Sequence, residues 1–315
     1  MSFYGLVDGS DTSLRKYLGN LSGVDQVGAD ARAAMLATRS IKTSAKGWAI
    51  DTAISMVDLT TLEGADTPGK VQALCAKAVR PDPMNLEVPS VGAVCVYNDM
   101  VGIARAHLNS IGGAHVGVAA VSTAFPSGRA SMKVKLQDTL DALDAGASEI
   151  DMVIDRGAFL SGDFIRVFNE IVQIRELCGK RAHLKVIFET GELVTYDNVR
   201  RASFLAMAAG ADFIKTSTGK IAPAATPPVV LIMLEAVRDF YSMTGTRIGV
   251  KPAGGIRNTK DALKQLVLVK ETAGSEWLTP KLFRIGASAL LNDLLMQRMK
   301  MESGYYLNPQ YVTID

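Results

Sequence analysis

Charged side chains interrupt several short apolar runs of this sequence. A lysine within an otherwise apolar strand is costly to bury unless it is paired or functional. Lys185, Lys215 and Lys251 occupy such positions, and Asp58 and Asp151 lie in two further runs. One such lysine alone is explained by a side chain that reaches solvent at the end of a strand. Three amines and two carboxylates that converge on one end of a sheet instead indicate a reactive site.

Amine catalysis is the chemistry that suits this cluster. A lysine forms a Schiff base with a carbonyl compound only when it is neutral, and both burial and a nearby cation lower its pKa. Lys215 and Lys251 are expected at the ends of adjacent strands and so meet that requirement. Asp151 supplies a carboxylate that could relay protons, directly or through a water molecule.

Glycine-containing loops that follow the same runs point to a phosphate group. Backbone N–H groups approach an anion closely where side chains are small, and helix N-termini favour negative charge. Each loop alone is weak evidence, because glycine and serine also form ordinary turns. Their position after consecutive strands strengthens the case. The loops are TSTGK (216–220), PAGGIR (252–257) and IGAS (285–288).

The elements that would position these residues alternate from about residue 50 onward. Runs that are apolar throughout are typical of parallel strands covered by helices on both faces. The later runs recur every ~30–35 residues, the length of a strand–helix–strand unit. The predicted strands are Ile54–Leu59, Val91–Tyr97, Val116–Val121, Glu149–Ile154, His183–Glu189, Asp212–Lys215, Ile248–Lys251 and Leu282–Ile285. The predicted helices are Ser44–Ala53, Lys133–Asp144, Asp163–Leu177, Asp197–Ala209, Pro227–Tyr241, Thr259–Glu271 and Ser288–Met301.

These strands and helices predict an α/β fold, a (β/α)8 TIM barrel with an N-terminal helical extension. In this fold the reactive residues lie at the C-terminal strand ends, and the loops after the seventh and eighth strands commonly bind phosphate. An open doubly wound sheet is the main alternative, but no GxGxxG motif follows the first predicted strand. We assign residues 1–45 to the extension, 46–303 to the barrel and 304–315 to a C-terminal tail.

The C-terminal tail contains Tyr305, Tyr306 and Tyr311. Chain ends are often poorly ordered unless they dock on the domain. The tail is therefore interpreted as a disordered end, with closure over the site as the alternative.

Composition argues against several function classes. A balance of 34 Lys+Arg against 32 Asp+Glu, with a net charge of +2, offers no electrostatic case for nucleic acid. The three histidines share no metal-ligand spacing with one another or with the cysteines, so no metal or other cofactor is expected. The three cysteines form no CxxC pair, which favours a reducing, cytoplasmic setting. No signal peptide and no membrane span are expected, and assembly into a homo-oligomer is left open.

The motifs around the lysines resemble those of the deoxyribose-phosphate aldolases, which are class I, Schiff-base-forming enzymes. The similarity runs from about Ile54 to Met299, and the extra residues at both ends look like the eukaryotic-type branch. FIKTSTGK followed by KPAGGIR is the most specific part of it. The motifs are VDLTTL (57–62), EIDMVI (149–154), ADFIKTSTGK (211–220), GVKPAGGIR (249–257) and RIGAS (284–288).

The resemblance implies reversible cleavage of 2-deoxy-D-ribose 5-phosphate, a small phosphorylated sugar, to acetaldehyde and D-glyceraldehyde 3-phosphate. This reaction belongs to the catabolism of deoxyribonucleotides and deoxyribose phosphate. By position, Lys215 would form the Schiff base, Lys251 would tune it and Asp151 would relay protons, supported by Lys185 and Asp58. The residues that would hold the phosphate or line its approach are Thr216, Gly219, Lys220, Gly254, Gly255, Gly286 and Ser288.

Two positions qualify the resemblance. Ala289 stands where members of the family often carry Ser or Thr, so one hydroxyl contact to phosphate would be missing. Cys95 matches a family cysteine near the site, but nothing in the sequence makes it a catalytic group.

Two other functions stay open at this point. One is a phosphate-binding barrel isomerase that uses lysine as an electrostatic clamp without a covalent bond. The other is a non-catalytic binding protein on an aldolase scaffold, which we rank last because every charged residue that the chemistry needs is present.

Overall fold

The computed structural model of the chain describes residues 5–42, 44–306, 308 and 312. Within them eight strands alternate with helices along the chain. The strands are β1 (Val57–Thr60), β2 (Ala93–Val96), β3 (Gly117–Ser122), β4 (Glu149–Val153), β5 (His183–Ile187), β6 (Phe213–Lys215), β7 (Gly249–Lys251) and β8 (Ile285–Ala287).

The helices of the described residues cover the outside of the strands. Two short 3-10 helices, Asn98–Met100 and Ser275–Trp277, add to them. The α-helices are α1 (Asp11–Gly19), α2 (Gln26–Ala37), α3 (Ser44–Ser55), α4 (Pro68–Val79), α5 (Val101–Ser110), α6 (Met132–Asp144), α7 (Arg156–Leu160), α8 (Phe164–Cys178), α9 (Tyr196–Ala208), α10 (Pro227–Thr244), α11 (Thr259–Thr272) and α12 (Leu290–Ser303).

The strands form one parallel sheet in the order β7-β6-β5-β4-β3-β2-β1-β8. Its two edges meet through parallel bridges from Val250 to Phe283 and from Ala253 to Gly286. Backbone N–H groups of Arg284 and Gly286 donate across the same seam, to Val250 at 3.1 Å and to Pro252 at 2.9 Å. A sheet that closes on itself has no free edge. The predicted TIM barrel is therefore confirmed, and the open doubly wound alternative is wrong.

The first and last strands differ from their predicted bounds. Helix α3 continues through Ile54, which is fully buried, so β1 begins only at Val57 and Asp58 is its second residue. In the predicted strand Ile54–Leu59, by contrast, Asp58 is the last residue but one. Strand β8 begins at Ile285 because β7 is the one strand that the segment before it bonds to, whereas Ile285 to Ala287 pair with β1.

Helices α1 and α2, which lie in the predicted N-terminal extension, pack on the outer helices of the barrel. Helix α1 contacts α8 and α9, and α2 contacts α10 and α11. Their apolar faces join the main core, and these faces consist of Leu14, Leu18, Ala29, Ala33 and Leu36. This packing extends the core of the barrel outward. No described helix combines the length and apolar character that crossing a membrane requires.

Candidate active site

Strand register brings the predicted charged residues together inside the barrel. Asp151 on β4 lies directly opposite Lys185 on β5. Lys215 and Lys251, the last residues of β6 and β7, are likewise register partners. Neighbouring residues of parallel strands with matched register project to the same side of a sheet. The barrel thus collects these side chains in its interior, near the C-terminal strand ends that we call the mouth.

Asp151 is the centre of this arrangement. Its Oδ2 accepts hydrogen bonds from Lys215 Nζ at 2.8 Å and from Lys251 Nζ at 2.7 Å. Its Oδ1 accepts one from Lys185 Nζ at 3.0 Å. One fully buried carboxylate therefore holds three amines, and two of them share a single oxygen.

Further charged residues lie beneath these groups, away from the mouth. Asp58 Oδ2 is 2.5 Å from Lys251 Nζ and 3.8 Å from Lys185 Nζ. Arg284 donates to Asp58 Oδ1 at 2.5 Å and to Glu149 Oε1 at 2.9 Å, and Glu149 also accepts a short hydrogen bond from Lys185. Together these seven residues form what we call the charge cluster: Asp58, Glu149, Asp151, Lys185, Lys215, Lys251 and Arg284.

Sequence analysis did not assign Glu149 or Arg284 to the site. Both stand in the quoted motifs EIDMVI and RIGAS, and both are buried. The signal was the one applied to the lysines, a charged residue in or beside an apolar strand. The predicted site covered only the C-terminal strand ends, whereas Glu149 begins β4 and Arg284 precedes β8.

Burial and neighbouring charge separate the pKa values of the three lysines. Burial, together with the charge of Lys251, lowers the pKa of Lys215, although Asp151 opposes the shift. For Lys251, burial is outweighed by Asp151 and Asp58, which raise its pKa well above the ordinary value. Asp151 and Glu149 likewise raise the pKa of Lys185 despite its burial. Lys215 is therefore the amine that is most readily neutral.

The same charges act on the two aspartates. Burial alone would raise the pKa of a carboxyl group. The pKa of Asp151 is nevertheless held well below its usual value by Lys185, Lys215 and Lys251. Lys251 and Arg284 lower the pKa of Asp58 in the same way. Both side chains are carboxylates at neutral pH.

A cavity of about 420 Å³ opens above Lys215. Of the three lysines in the charge cluster, Lys215 is the one that lines it. The loops after β1, β6, β7 and β8 form its walls. The predicted residues that line it are Gly219, Lys220, Gly254, Gly255, Gly286 and Ser288. Ala289, which stands where members of the family often carry Ser or Thr, lines it too.

Thr216 is the predicted phosphate residue that is placed differently. It is fully buried, and its hydroxyl accepts a hydrogen bond from the Ala253 N–H at 2.9 Å and donates to the Ala253 carbonyl at 3.2 Å. These bonds join the end of β6 to the loop after β7. The hydroxyl of Thr216 therefore holds two walls of the cavity together and is not directed at its interior.

Glycine is required in the loop after β7. Gly254 and Gly255 have φ values of +80° and +87°, a region that L-residues rarely adopt. A Cβ on Gly254 would lie 2.7 Å from the Cβ of Ala224, whereas one on Gly255 would meet open space. The loop thus presents its backbone to the cavity with no side chain in between.

Lys220 reaches across the mouth to the loop after β1. Its Nζ donates to the Leu62 carbonyl at 2.7 Å and to Glu63 Oε1 at 2.9 Å. Sequence analysis did not include Glu63, which also lines the cavity. The predicted phosphate-binding ammonium is therefore engaged by the carboxylate of Glu63.

Glu189 is a third carboxylate, after Glu149 and Glu63, that sequence analysis missed. It follows β5 with a φ of +56°, and it accepts hydrogen bonds from the backbone N–H and the hydroxyl of Thr218. Burial raises the pKa of Glu189, although its hydrogen bonds to Thr218 oppose the shift. Glu189 therefore holds the loop after β6, which carries Gly219 and Lys220 into the cavity.

Cys95 lies in a small apolar cluster on the other side of the mouth. It packs with Leu62, Ala119 and Val121, and the rings of Tyr97 and Phe125 cover them. Burial raises the pKa of the Cys95 thiol, so this sulfur stays protonated. All three cysteines are buried and unpaired. This cluster gives the mouth one apolar wall opposite the glycine loops.

No group of three or more His, Cys, Asp or Glu side chains is arranged to hold a metal ion in the described part of the chain. Of the tail tyrosines, Tyr305 and Tyr306 are 75% and 63% exposed. Tyr311 lies outside the described residues, so the ordering of the tail stays a prediction.

Comparisons with known proteins place the chain in a family. Residues 52–296 match the model of the DeoC/LacD family aldolase. The deoxyribose-phosphate aldolase of Homo sapiens is 48% identical over 262 residues, 81% of this chain and 82% of the relative. That of Mus musculus is 46% identical over 278 residues, 86% of this chain and 87% of the relative.

A solved structure supports the fold. The deoxyribose phosphate aldolase from Aeropyrum pernix superposes with a TM-score of 0.62 at 24% identity, covering 82% of this chain and 97% of that chain. The resemblance detected in the motifs is confirmed by the family match and by the mammalian relatives. This chain belongs to the DeoC/LacD family of aldolases.

Proposed function

We propose that this aldolase cleaves 2-deoxy-D-ribose 5-phosphate reversibly to acetaldehyde and D-glyceraldehyde 3-phosphate through a Schiff base on Lys215. The observation that carries the proposal is the position of Lys215. Its amine lies at the base of the cavity, next to Lys251 and Asp151, and the glycine loops line the same cavity. The names of the mammalian relatives supply the substrate.

Formation of the imine is the first step. Neutral Lys215 attacks the C1 aldehyde, a proton is taken up, and water leaves as the iminium forms. Lys215 suits this role because it contacts the cavity and its pKa is lowered by burial and by Lys251. Lys251 and Lys185 are fully buried and hold their protons more tightly, so they act by charge.

Cleavage of the C2–C3 bond follows. The C3 hydroxyl loses its proton to a relay through Asp151, the C3–O bond becomes the carbonyl of glyceraldehyde 3-phosphate, and the C2–C3 electron pair moves to the iminium, giving an enamine. As the cationic iminium on Lys215 becomes the neutral enamine, Asp151 faces two cations and not three, so its affinity for the proton increases while the bond breaks. Protonation of the enamine at C2 and hydrolysis of the iminium release acetaldehyde and restore Lys215.

We assign the phosphate of the substrate to the side of the cavity opposite Lys215. Backbone N–H groups of Gly254 and Gly255, the region around Gly286 and Ser288, and the ammonium of Lys220 offer it positive charge. Glu63 competes with the phosphate for Lys220, because it accepts a hydrogen bond from the same ammonium. Thr216 contributes by holding the walls, as its hydrogen bonds to Ala253 require.

The reaction requires no metal or other cofactor, and we assign it to deoxyribose phosphate and deoxyribonucleotide catabolism in the cytoplasm. Homo-oligomer formation and the cytoplasmic setting stay predictions, which sedimentation of the purified chain and cell fractionation test.

Product analysis of the purified chain tests the proposal. Incubation with 2-deoxyribose 5-phosphate should release acetaldehyde and glyceraldehyde 3-phosphate in equal amounts, measured by coupled dehydrogenase assays. Lys215→Arg should release neither, because a guanidinium stays protonated and forms no imine. Substrate that is rearranged without acetaldehyde release would overturn the proposal in favour of an isomerase. A folded protein that binds the substrate and leaves it unchanged would favour the non-catalytic alternative.

A further inference from the structure

Arg284 and Glu149 form the lower tier of the charge cluster, furthest from the mouth. A second cavity of about 270 Å³ opens at the opposite end of the barrel, and both residues line it. Gly117, which begins β3, and His183, which begins β5, line it too, so it lies at the N-terminal strand ends. We call this space the bottom cavity. Arg284 and Glu149 therefore have no access to the substrate at the mouth.

Hydrogen bonds, together with the ion pair between Asp58 and Lys251, connect this tier to the reactive amine. Arg284 holds Asp58, and Asp58 contacts Lys251. Glu149 holds Lys185, and Lys185 donates to Asp151. Both branches end on Asp151, whose Oδ2 accepts from Lys215 at 2.8 Å.

The charges of the cluster sum to zero only when Lys215 is neutral. Its fixed cations are Lys185, Lys251 and Arg284, and its anions are Asp58, Glu149 and Asp151. These sum to zero, so a protonated Lys215 leaves one positive charge without a counter-charge. None of the seven side chains is more than 10% exposed, so water compensates such a charge poorly.

We propose that Arg284 and Glu149 are positioning residues that set this balance, so that the neutral amine of Lys215 is the electrically compensated form. The inference rests on the proposed Schiff-base function of Lys215. The same balance favours the neutral enamine over the cationic iminium, which assists cleavage of the C2–C3 bond. The two residues act through Asp58, Lys185, Lys251 and Asp151 and do not touch the substrate.

Strands β2 and β3 face the cluster without adding charge to it. Lys215 is also faced by Cys95 from β2, which is neutral because burial raises the pKa of its thiol. The residues of β3 carry no charge. Around the bottom cavity, Arg105 from α5 and the rings of His115 and His183 also face Glu149 and Arg284. The pKa of His183 is raised chiefly by Asp212, with which it pairs outside the cluster.

Removal of a cation and removal of an anion from the cluster should shift the pKa of Lys215 in opposite directions. Arg284→Gln removes a cation, so a proton on Lys215 restores balance and its pKa rises. Glu149→Gln replaces an anion by a neutral side chain of almost the same shape. A proton on Lys215 then adds to an excess of positive charge, so the pKa of Lys215 falls. The double variant has a balanced cluster again, and Arg284→Lys keeps the charge. We expect shifts on the order of one pH unit in the single variants, as is usual for buried groups.

The test measures the pH at which Lys215 becomes neutral, in the whole chain and without substrate. Trace acetylation by acetic anhydride, followed by mass spectrometry of the Lys215 peptide, reports the neutral fraction at each pH. The acid limb of kcat/KM for 2-deoxyribose 5-phosphate should move with it. His115→Gln is the control variant, since it changes a ring at the bottom cavity whose hydrogen-bond partner is the uncharged Ser90 hydroxyl.

Opposite shifts in the single variants, with both the double variant and Arg284→Lys near the parent protein, are the expected result. Unchanged pH profiles in folded variants, or shifts of the same sign, would overturn the proposal. If Arg284→Gln does not fold, Glu149→Gln and the double variant decide. Failure of the parent protein to form any adduct with substrate would refute the Schiff-base function instead, which keeps the two failures distinguishable.

Discussion

Lys251 lies directly opposite Lys215 in the register of two neighbouring strands, and both ammonium groups point at one carboxylate oxygen. Two like charges in this position repel each other, and each is drawn to the same anion. The balance falls differently for the two residues because Lys251 also contacts Asp58 at 2.5 Å. Lys251 therefore keeps its proton, and the pKa of Lys215 is lowered.

Removal of the Lys251 charge should bring the pKa of Lys215 closer to the unperturbed lysine value of ~10.4. Only neutral Lys215 reacts, so the rate rises as the pH passes upward through this pKa. Lys251→Leu should lose most activity at neutral pH and recover part of it at higher pH. The measurement is kcat/KM against pH. Lys251→Arg, which keeps the charge, should retain the parent acid limb, and an identical limb in Lys251→Leu would refute the electrostatic role.

A negative charge in the loop after β7 should weaken phosphorylated substrates selectively. Gly255→Asp places a carboxylate in open space beside the proposed phosphate position, and Gly255→Asn imposes the same strain at a φ of +87° without the charge. We expect Asp to raise KM for deoxyribose 5-phosphate about fivefold more than Asn does, since two unit charges ~4 Å apart repel by about 1 kcal/mol even in bulk water. Equal losses with free deoxyribose would mean that the loop, and not phosphate binding, is damaged.

Thr216 should behave as a structural hydroxyl. Thr216→Val leaves the N–H and the carbonyl of Ala253 without their partner, and a buried unpaired polar group costs about 1–3 kcal/mol of unfolding free energy. Denaturant unfolding should show this loss, and kcat/KM should fall alike for phosphorylated and free deoxyribose. Thr216→Ser should restore both. A loss confined to the phosphorylated substrate would return Thr216 to direct phosphate binding.

Glu63 should compete with the substrate for Lys220. Their side chains are 65% and 33% exposed, and exposed ion pairs contribute about 0–1 kcal/mol. Glu63→Gln should therefore lower KM for deoxyribose 5-phosphate by up to about fivefold and leave free deoxyribose unaffected. Lys220→Met, which removes the ammonium itself, should raise KM for deoxyribose 5-phosphate. An increase in KM for Glu63→Gln would show that Glu63 helps to bind the sugar.

The elements of the barrel were largely predictable because buried parallel strands are apolar throughout and recur at a regular spacing. Lys215 and Lys251 were predictable for the same reason, since a lysine is conspicuous at the end of FIK or GVK. The boundary of β1 was missed because Ile54 is as apolar as a strand residue, and only its packing in the main core shows that it belongs to α3.

The lower tier of the charge cluster depends on register and on barrel closure. Glu149 and Arg284 are 135 positions apart, and no local pattern indicates that they meet. The same holds for Lys220 and Glu63, which are 157 positions apart. Thr216 was assigned to phosphate from its place in TSTGK, whereas its side-chain direction is decided by the neighbouring Ala253 backbone. Such contacts follow from tertiary structure and not from composition or periodicity.

The identity of the covalent lysine is the central claim, and borohydride trapping tests it most directly. Incubation with 2-deoxyribose 5-phosphate and borohydride should reduce the imine to a stable amine, abolish activity and add the mass of the reduced acetaldehyde or sugar adduct to the Lys215 peptide alone. Lys215→Arg should form no adduct, and Lys251→Leu should still form one at high pH. Full activity with no adduct on Lys215, or an adduct on Lys251 in the Lys215→Arg variant, would contradict the account.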